Sequence, residues 1–526
     1  MRRLVLLTEA TASVHSRPGV SKALLTAMLL CAACTDLTVI VGDYELPVGG
    51  RTSVPGSGAG AGAAAGSLAG APAIATPPRV NVDTPDQLSI EPGTRAQFCG
   101  GRGPAVRSVR PGSDCPTRIE RRFFSQALCA CEDLRLIGDS SQIDSYDSSQ
   151  GTYVTGELGA SIGVNGALAV FSPDTRVLGG VFASDDATLT LGGSAALTVS
   201  GDLKTNATLD ALVTGTRIAR DLWVGGDIVA VQDAITVGRD VYQHSGRSGG
   251  DSLKVGGLRH AVDTFDVPAP CACDPASLLD VAALVEQARA MNDNVAAGWS
   301  PDALKFGSFL MTRYQPLPCG RLYVNAISLS GDPALVGLAV SSMDISAAQR
   351  TALFVDGDVT AQGIGTLNLG TKGGELDVFI RGNLVAEVNT TIMLGSDLMD
   401  PTAQPRPAAL RVFVGGDVIL RGRLAVLGQL YAPQATIDTT LLVPDSSGSI
   451  FARSITGLGA TRVHYDRAIL RAGQECSAPG PQRCDGCHQC PDDQACIAGS
   501  CNACVSDADC CAPTICTQGK CKAPSG

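Results

Sequence analysis

The sequence predicts a mainly β fold, a right-handed parallel β-helix, on three observations. Runs of alternating apolar and small polar residues recur between glycines, as in ATLTLGG (187–193), ALTVSGDL (196–203), LFVDGDV (353–359) and VFVGGDV (412–418). Period-two alternation bounded by glycine marks half-buried strands joined by tight turns. A corner motif also returns, in Gly201-Asp202-Leu203, Arg220-Asp221-Leu222, Arg239-Asp240-Val241, Gly357-Asp358-Val359, Gly382-Asn383-Leu384 and Gly416-Asp417-Val418, and Asp202, Asp221 and Asp240 are spaced by 19 residues, about one solenoid coil. Finally, 61 glycines with 4% aromatic and 17% charged residues describe a chain rich in turn formers and poor in bulky core side chains. In this reading glycine supplies the positive φ of a sharp corner, Asp or Asn binds neighbouring backbone amides, and the next apolar residue turns inward. A β-sandwich is the alternative.

At 526 residues the chain exceeds the roughly 250–300 at which a single core stops growing. Residues 1–33 read as an export signal, with Arg2, Arg3, Arg17 and Lys22 ahead of an apolar run from Ala23 to Ala33 that is too short to span a bilayer. Leu30-Cys31-Ala32-Ala33-Cys34 resembles the bacterial lipobox, and that resemblance implies that Cys34 is acylated and becomes the new N-terminus, although Cys31 stands where the motif usually has Leu, Val or Ile. The chain is therefore expected at the outer membrane or cell surface, held through its lipid, with secretion as the alternative. Residues 34–80 form the tether: 49–80 are almost wholly Gly, Ala, Ser and Pro, a composition that packs no core and spans roughly 30 Å as a flexible coil.

Residues 81–135 are expected to cap the first coil, 136–266 to form the first part of the solenoid and 322–472 the second. The segment 267–321 between them is a helical insertion. Asp274 reads as an N-cap with Pro275 at the first helical position, and Leu278, Val281, Val285 and Ala288 form one apolar face that should pack on the solenoid flank.

Twenty cysteines suit an oxidising compartment. With Cys31 removed and Cys34 acylated, seven remain in the body (Cys99, Cys115, Cys129, Cys131, Cys271, Cys273, Cys319) and eleven in the tail, residues 473–526 (Cys476, Cys484, Cys487, Cys490, Cys496, Cys501, Cys504, Cys510, Cys511, Cys516, Cys521). Both sets are odd, so full pairing requires a bridge from tail to body, with Cys476 the expected donor. The run Cys490, Cys496, Cys501 is echoed by Cys504, Cys510, Cys516, Cys521, a spacing that resembles the Cys-rich module of the Dickkopf N-terminal region; a stretch this short needs disulfides in place of a core. Cys484, Cys487 and Cys490 with His488 superficially match an iron–sulfur or zinc run, but the ferredoxin pattern wants its fourth cysteine after three residues, whereas Cys496 follows after five. Disulfides are the expectation, with no metal and no cofactor.

GQLYAPQATIDTT (428–440) and GSIFARSITGLGATRVHYDRAIL (448–470) resemble the end of an uncharacterised β-helical domain of predicted myxobacterial surface lipoproteins and pilus-assembly-like proteins, over about residues 265–470. The segments carrying it are Leu430-Tyr431-Ala432-Pro433, Gly448-Ser449-Ile450-Phe451 and His464-Tyr465-Asp466. The resemblance implies the fold and a surface setting and supplies no chemistry.

No catalytic residue is assigned. The corner aspartates sit at structural positions, and no nucleophile elbow, metalloprotease, phosphate-loop or EF-hand pattern is present. His464-Tyr465-Asp466 is the one suggestive cluster, yet adjacent strand residues point to opposite faces. The charge of −11 is spread along the chain without a Lys/Arg stripe, which argues against nucleic acid. The expectation is a structural, adhesive or binding role on a solenoid scaffold, with glycan or an envelope protein as partner; the alternative is a polysaccharide lyase or hydrolase, which a groove with three or more clustered acidic residues and an Arg would favour.

Overall fold

A computed structural model describes residues 87–472 apart from 110–118, 138–139, 152, 154–155, 173, 185–188, 192–196, 212–214, 251–252, 307–311, 331–340, 396–405, 444 and 458–460, and in the tail 495–497, 500–502, 504, 510, 515–517 and 520–522. Cys34, the signal and the tether lie outside the described residues, as do Cys115, Cys476, Cys484, Cys487, Cys490 and Cys511.

The body is a parallel β-solenoid. In its most regular part each coil carries three short strands: Leu203–Thr205, Leu209–Ala211 and Thr216–Ile218 are followed one coil later by Leu222–Val224, Ile228–Ala230 and Ile235–Val237. Leu203 pairs with Leu222, Leu209 with Ile228 and Thr216 with Ile235, all parallel and one on each of three faces. The first and third side chains of most of these strands point inward, so every rung gives its apolar residues to the rungs above and below.

The corner chemistry is a ladder. Asp202 Oδ1 accepts the amide of Asp221 (3.3 Å), Asp221 Oδ1 that of Asp240 (3.1 Å), and Asp240 Oδ1 that of Leu258 (2.7 Å). In the second half Asp358 and Asn383 do the same for Asn383 and Asp417. The role expected of glycine is corrected: Gly201, Gly226, Gly357, Gly382 and Gly416 are not among the residues with positive φ. They are needed because the coils stack too closely for a side chain. A Cβ on Gly201 would lie 2.7 Å from the Gly179 oxygen, and one on Gly416 2.5 Å from that of Gly382.

The order of coils in space differs from their order in sequence. The first coil, Leu128–Ala130, Leu134–Ile137 and Ser141–Tyr146, sits in the middle of the stack. From it the chain winds one way to Arg259–Val262, then returns along the outside and restarts beyond the opposite side at Lys305–Phe306 and Thr312–Leu317. It winds back until Asp445–Gly457 and Arg462–Asp466 land on the uncovered side of the first coil, pairing Ile450 with Leu128, Ile455 with Leu134 and His464 with Asp144. One inner column therefore runs through both halves: Leu322, Leu353, Val378, Val412, Leu430, Ile450, Leu128, Ile162, Val181, Leu203, Leu222, Val241. All are buried, and each contributes about 1.5–3 kcal/mol of apolar burial.

This arrangement corrects the cap expected at 81–135. The first coil has no open side, because the last coil covers it, and the strand Leu134–Ile137 straddles the expected boundary. Residues 87–109 and 119–124 instead flank the second-half coils. Arg321 holds Asp293 through two hydrogen bonds and donates to the Glu91 and Gly93 carbonyls; Arg350 pairs with Glu91 (2.6 Å) and donates to the carbonyls of Phe98, Gly103 and Pro104. Cys99–Cys319 closes the same contact.

The returning segment is pinned coil by coil. Asn206 and Asn165 each exchange two hydrogen bonds with the backbone of Val267 and Cys271, and Cys129–Cys271 and Cys131–Cys273 tie it to the first coil. Six of the seven body cysteines are thus paired with one another, so under full pairing a tail-to-body bridge falls to Cys115. The helix expected from Asp274 begins later. Asp274 closes only a turn, and Val281–Met291 is capped by Asp280, whose carboxylate accepts the amide of Ala283 (2.9 Å). Its buried face, Val281, Leu284, Val285 and Ala288, lies along strands Gly320–Val324, Thr351–Val355 and Leu376–Ile380. Beneath the returning chain the outward rings of Phe354, Phe379 and Phe413 stack 4.8–4.9 Å apart, and Tyr431 accepts the Leu279 amide.

The two ends are finished differently. Asp293 and Asn294 bind the edge of Gly320–Val324 that no strand pairs. At the other end the inner column stops at Arg259, which pairs with Val241 in register and donates to the Leu253 carbonyl, so a charge occupies the place where another coil would stack. In the tail, hairpins Ala495–Ile497/Ser500–Asn502 and Ile515–Thr517/Lys520–Lys522 repeat one motif, and Cys504–Cys516 and Cys510–Cys521 are bridged.

Truncating Leu128 to Ala should lower unfolding free energy by about 2–5 kcal/mol in denaturant titrations, whereas Leu258→Ala, at a position 67% exposed on the terminal coil, should stay within about 0.5 kcal/mol. Equal effects would contradict the central place of the first coil.

Candidate functional site

The rung where the last coil meets the first carries the most chemically suggestive cleft among the described residues. Strand Arg462–Asp466 lies between Ser141–Tyr146 on one side and the start of Asp445–Gly457 on the other, so that Arg462 is level with Gln142 and Asp445, and His464 with Asp144 and Ser447. Alternation along the strand separates the suggestive trio. His464 faces the cleft; Tyr465 points away and donates to the Phe124 carbonyl (2.7 Å). Asp466 is fully buried and accepts the Ser148 hydroxyl and the amides of Ser148, Ala408 and Ala468, a purely structural staple.

Asp144 is the centre of the site. Fully buried, it accepts from His464 Nδ1 (2.7 Å), the Tyr153 hydroxyl (2.7 Å), Gln142 Nε2 (2.9 Å) and the Gly156 amide (3.4 Å). Burial alone would raise its pKa, but the hydrogen bonds from His464 and Tyr153 together with the attraction of the imidazole outweigh that and hold it below the ordinary aspartate value. Tyr153 moves the other way: burial first, then its bond to Asp144, keep the phenol protonated. Nδ1 of His464 is held by Asp144, and Nε2 lies 3.9 Å from Asp445 at the cleft. Tyr153 lies against the imidazole with ring centres 4.2 Å apart. Gln142, Tyr153, Asp445, Arg462 and His464 line a cavity of about 380 Å³, with Arg462 and Asp445 3.4 Å apart at its rim.

An oriented Asp–His pair can accept a proton from a hydroxyl, yet the lining residues include no serine, threonine or cysteine to act as nucleophile. Two carboxylates, Asp144 and Asp445, stand here with Arg462, one fewer than the cluster expected of a polysaccharide-cleaving groove. What the cleft offers is an aromatic ring and a circle of donors and acceptors, the usual means of holding a polyhydroxylated ligand. A second polar-aromatic surface lies on the first half, where Lys204, Trp223, Tyr242 and His260 occupy successive rungs, Trp223 and Tyr242 stacking at 3.8 Å. In the tail, sulfurs of Cys504, Cys510 and Cys521 lie within 4.8 Å of one another, but all three are in disulfides and offer no thiolate to a metal. The run Cys484, Cys487, His488, Cys490 lies outside the described residues.

Sequence reasoning singled out His464 and missed Asp144, Tyr153 and Asp445. Asp144 and His464 are 320 positions apart, and only the return of the last coil brings them together.

Residues 276–472 match the family model described as a domain of unknown function, DUF7305. No curated protein and no solved structure matches the chain. The matched span begins just before the flank helix and ends after the last coil, so His464, Arg462 and Asp445 lie within it, whereas Gln142, Asp144 and Tyr153 come from outside.

The folded pKa of Asp144 lies below its unfolded value of about 3.9, so the stability it contributes is present above about pH 4 and is lost as pH falls through the folded value. Melting temperatures measured across that window should fall less steeply for Asp144→Asn than for the parent, and parallel curves would contradict this assignment.

Proposed function

We propose that the protein is a lipid-anchored cell-envelope binding module whose solenoid presents the seam cleft to a glycan of the surrounding envelope. The observation that carries the binding reading is the cleft itself: a pocket of about 380 Å³ with Tyr153 at its wall, His464 Nε2 turned inward, and the Arg462–Asp445 pair at its rim. The anchor is supported by the basic and apolar start of the sequence and by Cys34 in its lipobox-like setting. The paired cysteines agree with an oxidising compartment. A polysaccharide-cleaving activity is the second reading, favoured by the Asp144–His464 pair, which has the orientation of a general base.

Full-length protein in detergent should retain envelope polysaccharide on an array, with Arg462→Ala and Asp445→Asn each weakening retention about tenfold, as loss of a charge-assisted contact does. Release of reducing ends that disappears in His464→Ala would favour the enzyme, and unchanged retention in both cleft variants would remove the cleft from the account. Mass spectrometry of protein from the native envelope should find a diacylglyceryl adduct on an N-terminal Cys34; an unmodified, reduced chain would overturn the anchor.

A further inference from the structure

The pattern that marks an N-glycosylation acceptor, asparagine followed two positions on by serine or threonine with no proline between, occurs twice in the sequence, at Asn206-Ala207-Thr208 and Asn389-Thr390-Thr391. The fold treats the two differently. Asn206 is half-buried and its carboxamide is engaged at both ends: Nδ2 donates to the Val267 carbonyl and Oδ1 accepts the Val267 amide, each at 2.8 Å. Asn389 stands in the turn between strands Leu384–Ala386 and Thr390–Leu394. It is exposed, next to Val388 at 58% exposure, and among the described residues no hydrogen bond holds its carboxamide. The turn is closed beneath it, where the Glu387 carbonyl accepts the amide of Thr390 (3.1 Å) and its hydroxyl (2.7 Å), so the asparagine is presented from a fixed base. Its φ of 65° is one that asparagine tolerates, which accounts for an asparagine in the turn but not for the threonine two positions on. Thr391 lies half-buried in its strand, level with Thr366 and Arg423. Two positions before the asparagine, Glu387 supplies the carboxylate that bacterial oligosaccharide transferases select at that place. Its pair with Arg421 (3.2 Å) is at the surface, where such pairs hold weakly and release readily.

We propose that Asn389 is an N-glycosylation site. The donor is an oligosaccharide carried on polyprenyl diphosphate, and the catalyst a membrane transferase. Asn389 Nδ2 bonds to the anomeric carbon of the first sugar, the bond from that carbon to the diphosphate oxygen breaks, polyprenyl diphosphate leaves with the electron pair, and the amide proton passes to a base of the transferase. Asn206, with both carboxamide atoms committed to the returning segment, stays bare in the folded chain. The site needs an exported chain, and it needs neither the seam cleft nor a ligand in it.

The test is glycopeptide mapping of the full-length protein purified from its native envelope, with fragmentation that retains the sugar on the peptide. An oligosaccharide on Asn389 and none on Asn206 is expected. In variants returned to the native host, Asn389→Asp, which keeps a residue tolerant of the left-handed turn, and Thr391→Ala should each lose the adduct, whereas Thr391→Ser, which keeps the hydroxyl, should retain it. Melting curves establish that each variant folds. A bare Asn389 in the parent, a sugar placed on Thr390 or Thr391 instead, or an adduct that survives Thr391→Ala overturns the proposal. The same maps report Cys34, so a lipidated chain with a bare Asn389 removes this inference and leaves the anchor standing.

Discussion

The stacking of Leu430, Ile450, Leu128 and Ile162 across the seam is the contact on which the remaining structure rests. A parallel coil cannot be stable alone, since its strands have no hydrogen-bonding partners within the same turn and its inward residues meet nothing until another rung is laid on them. Here the first coil receives a rung from each side, one from the residues that follow it and one from the far end of the chain. Joining segments so distant costs little more loop entropy than joining nearer ones, because that cost grows only with the logarithm of the separation. The crossing chain, pinned by Cys129–Cys271 and Cys131–Cys273, narrows the search further.

The candidate site follows from this closure. The seam cleft takes Asp144, Gln142 and Tyr153 from the first coil and its loop, and His464, Arg462 and Asp445 from the last. A solenoid that grew in one direction only would carry these groups at opposite ends. The matched family span covers Asp445, Arg462 and His464, and the remaining residues of the site come from the part of the chain that precedes it.

What could be read from the sequence was local. The spacing of Asp202, Asp221 and Asp240 announced the coil because each carboxylate binds the amide one rung on, which forces a fixed interval. The flank helix was legible in its apolar spacing, although its start was misplaced: Asp274 before Pro275 has the pattern of an N-cap, and the competing cap at Asp280 wins because Val281, Leu284 and Val285 then face the solenoid. The glycines were located correctly and explained wrongly, since close approach of a neighbouring coil leaves no mark in a single sequence that differs from a demand for positive φ. The seam left no local mark at all. Nothing in the strand around Asp144 distinguishes a coil covered from both sides from one that begins an open stack, and so the covered first coil and the His464–Asp144 pair both escaped.

The central claim, that the last coil lies directly against the first, can be measured by cross-linking. Arg135 pairs in register with Thr456 across the seam and with Ala169 in the next coil of the first half. Adjacent strands lie about 4.8 Å apart, within the Cα separation a disulfide accepts. Arg135→Cys combined with Thr456→Cys should oxidise as readily as Arg135→Cys with Ala169→Cys, giving a linked peptide in mass-spectrometric maps. A chain that links 135 to 169 and never to 456 would show that the two halves do not close on one another, and the account would fail.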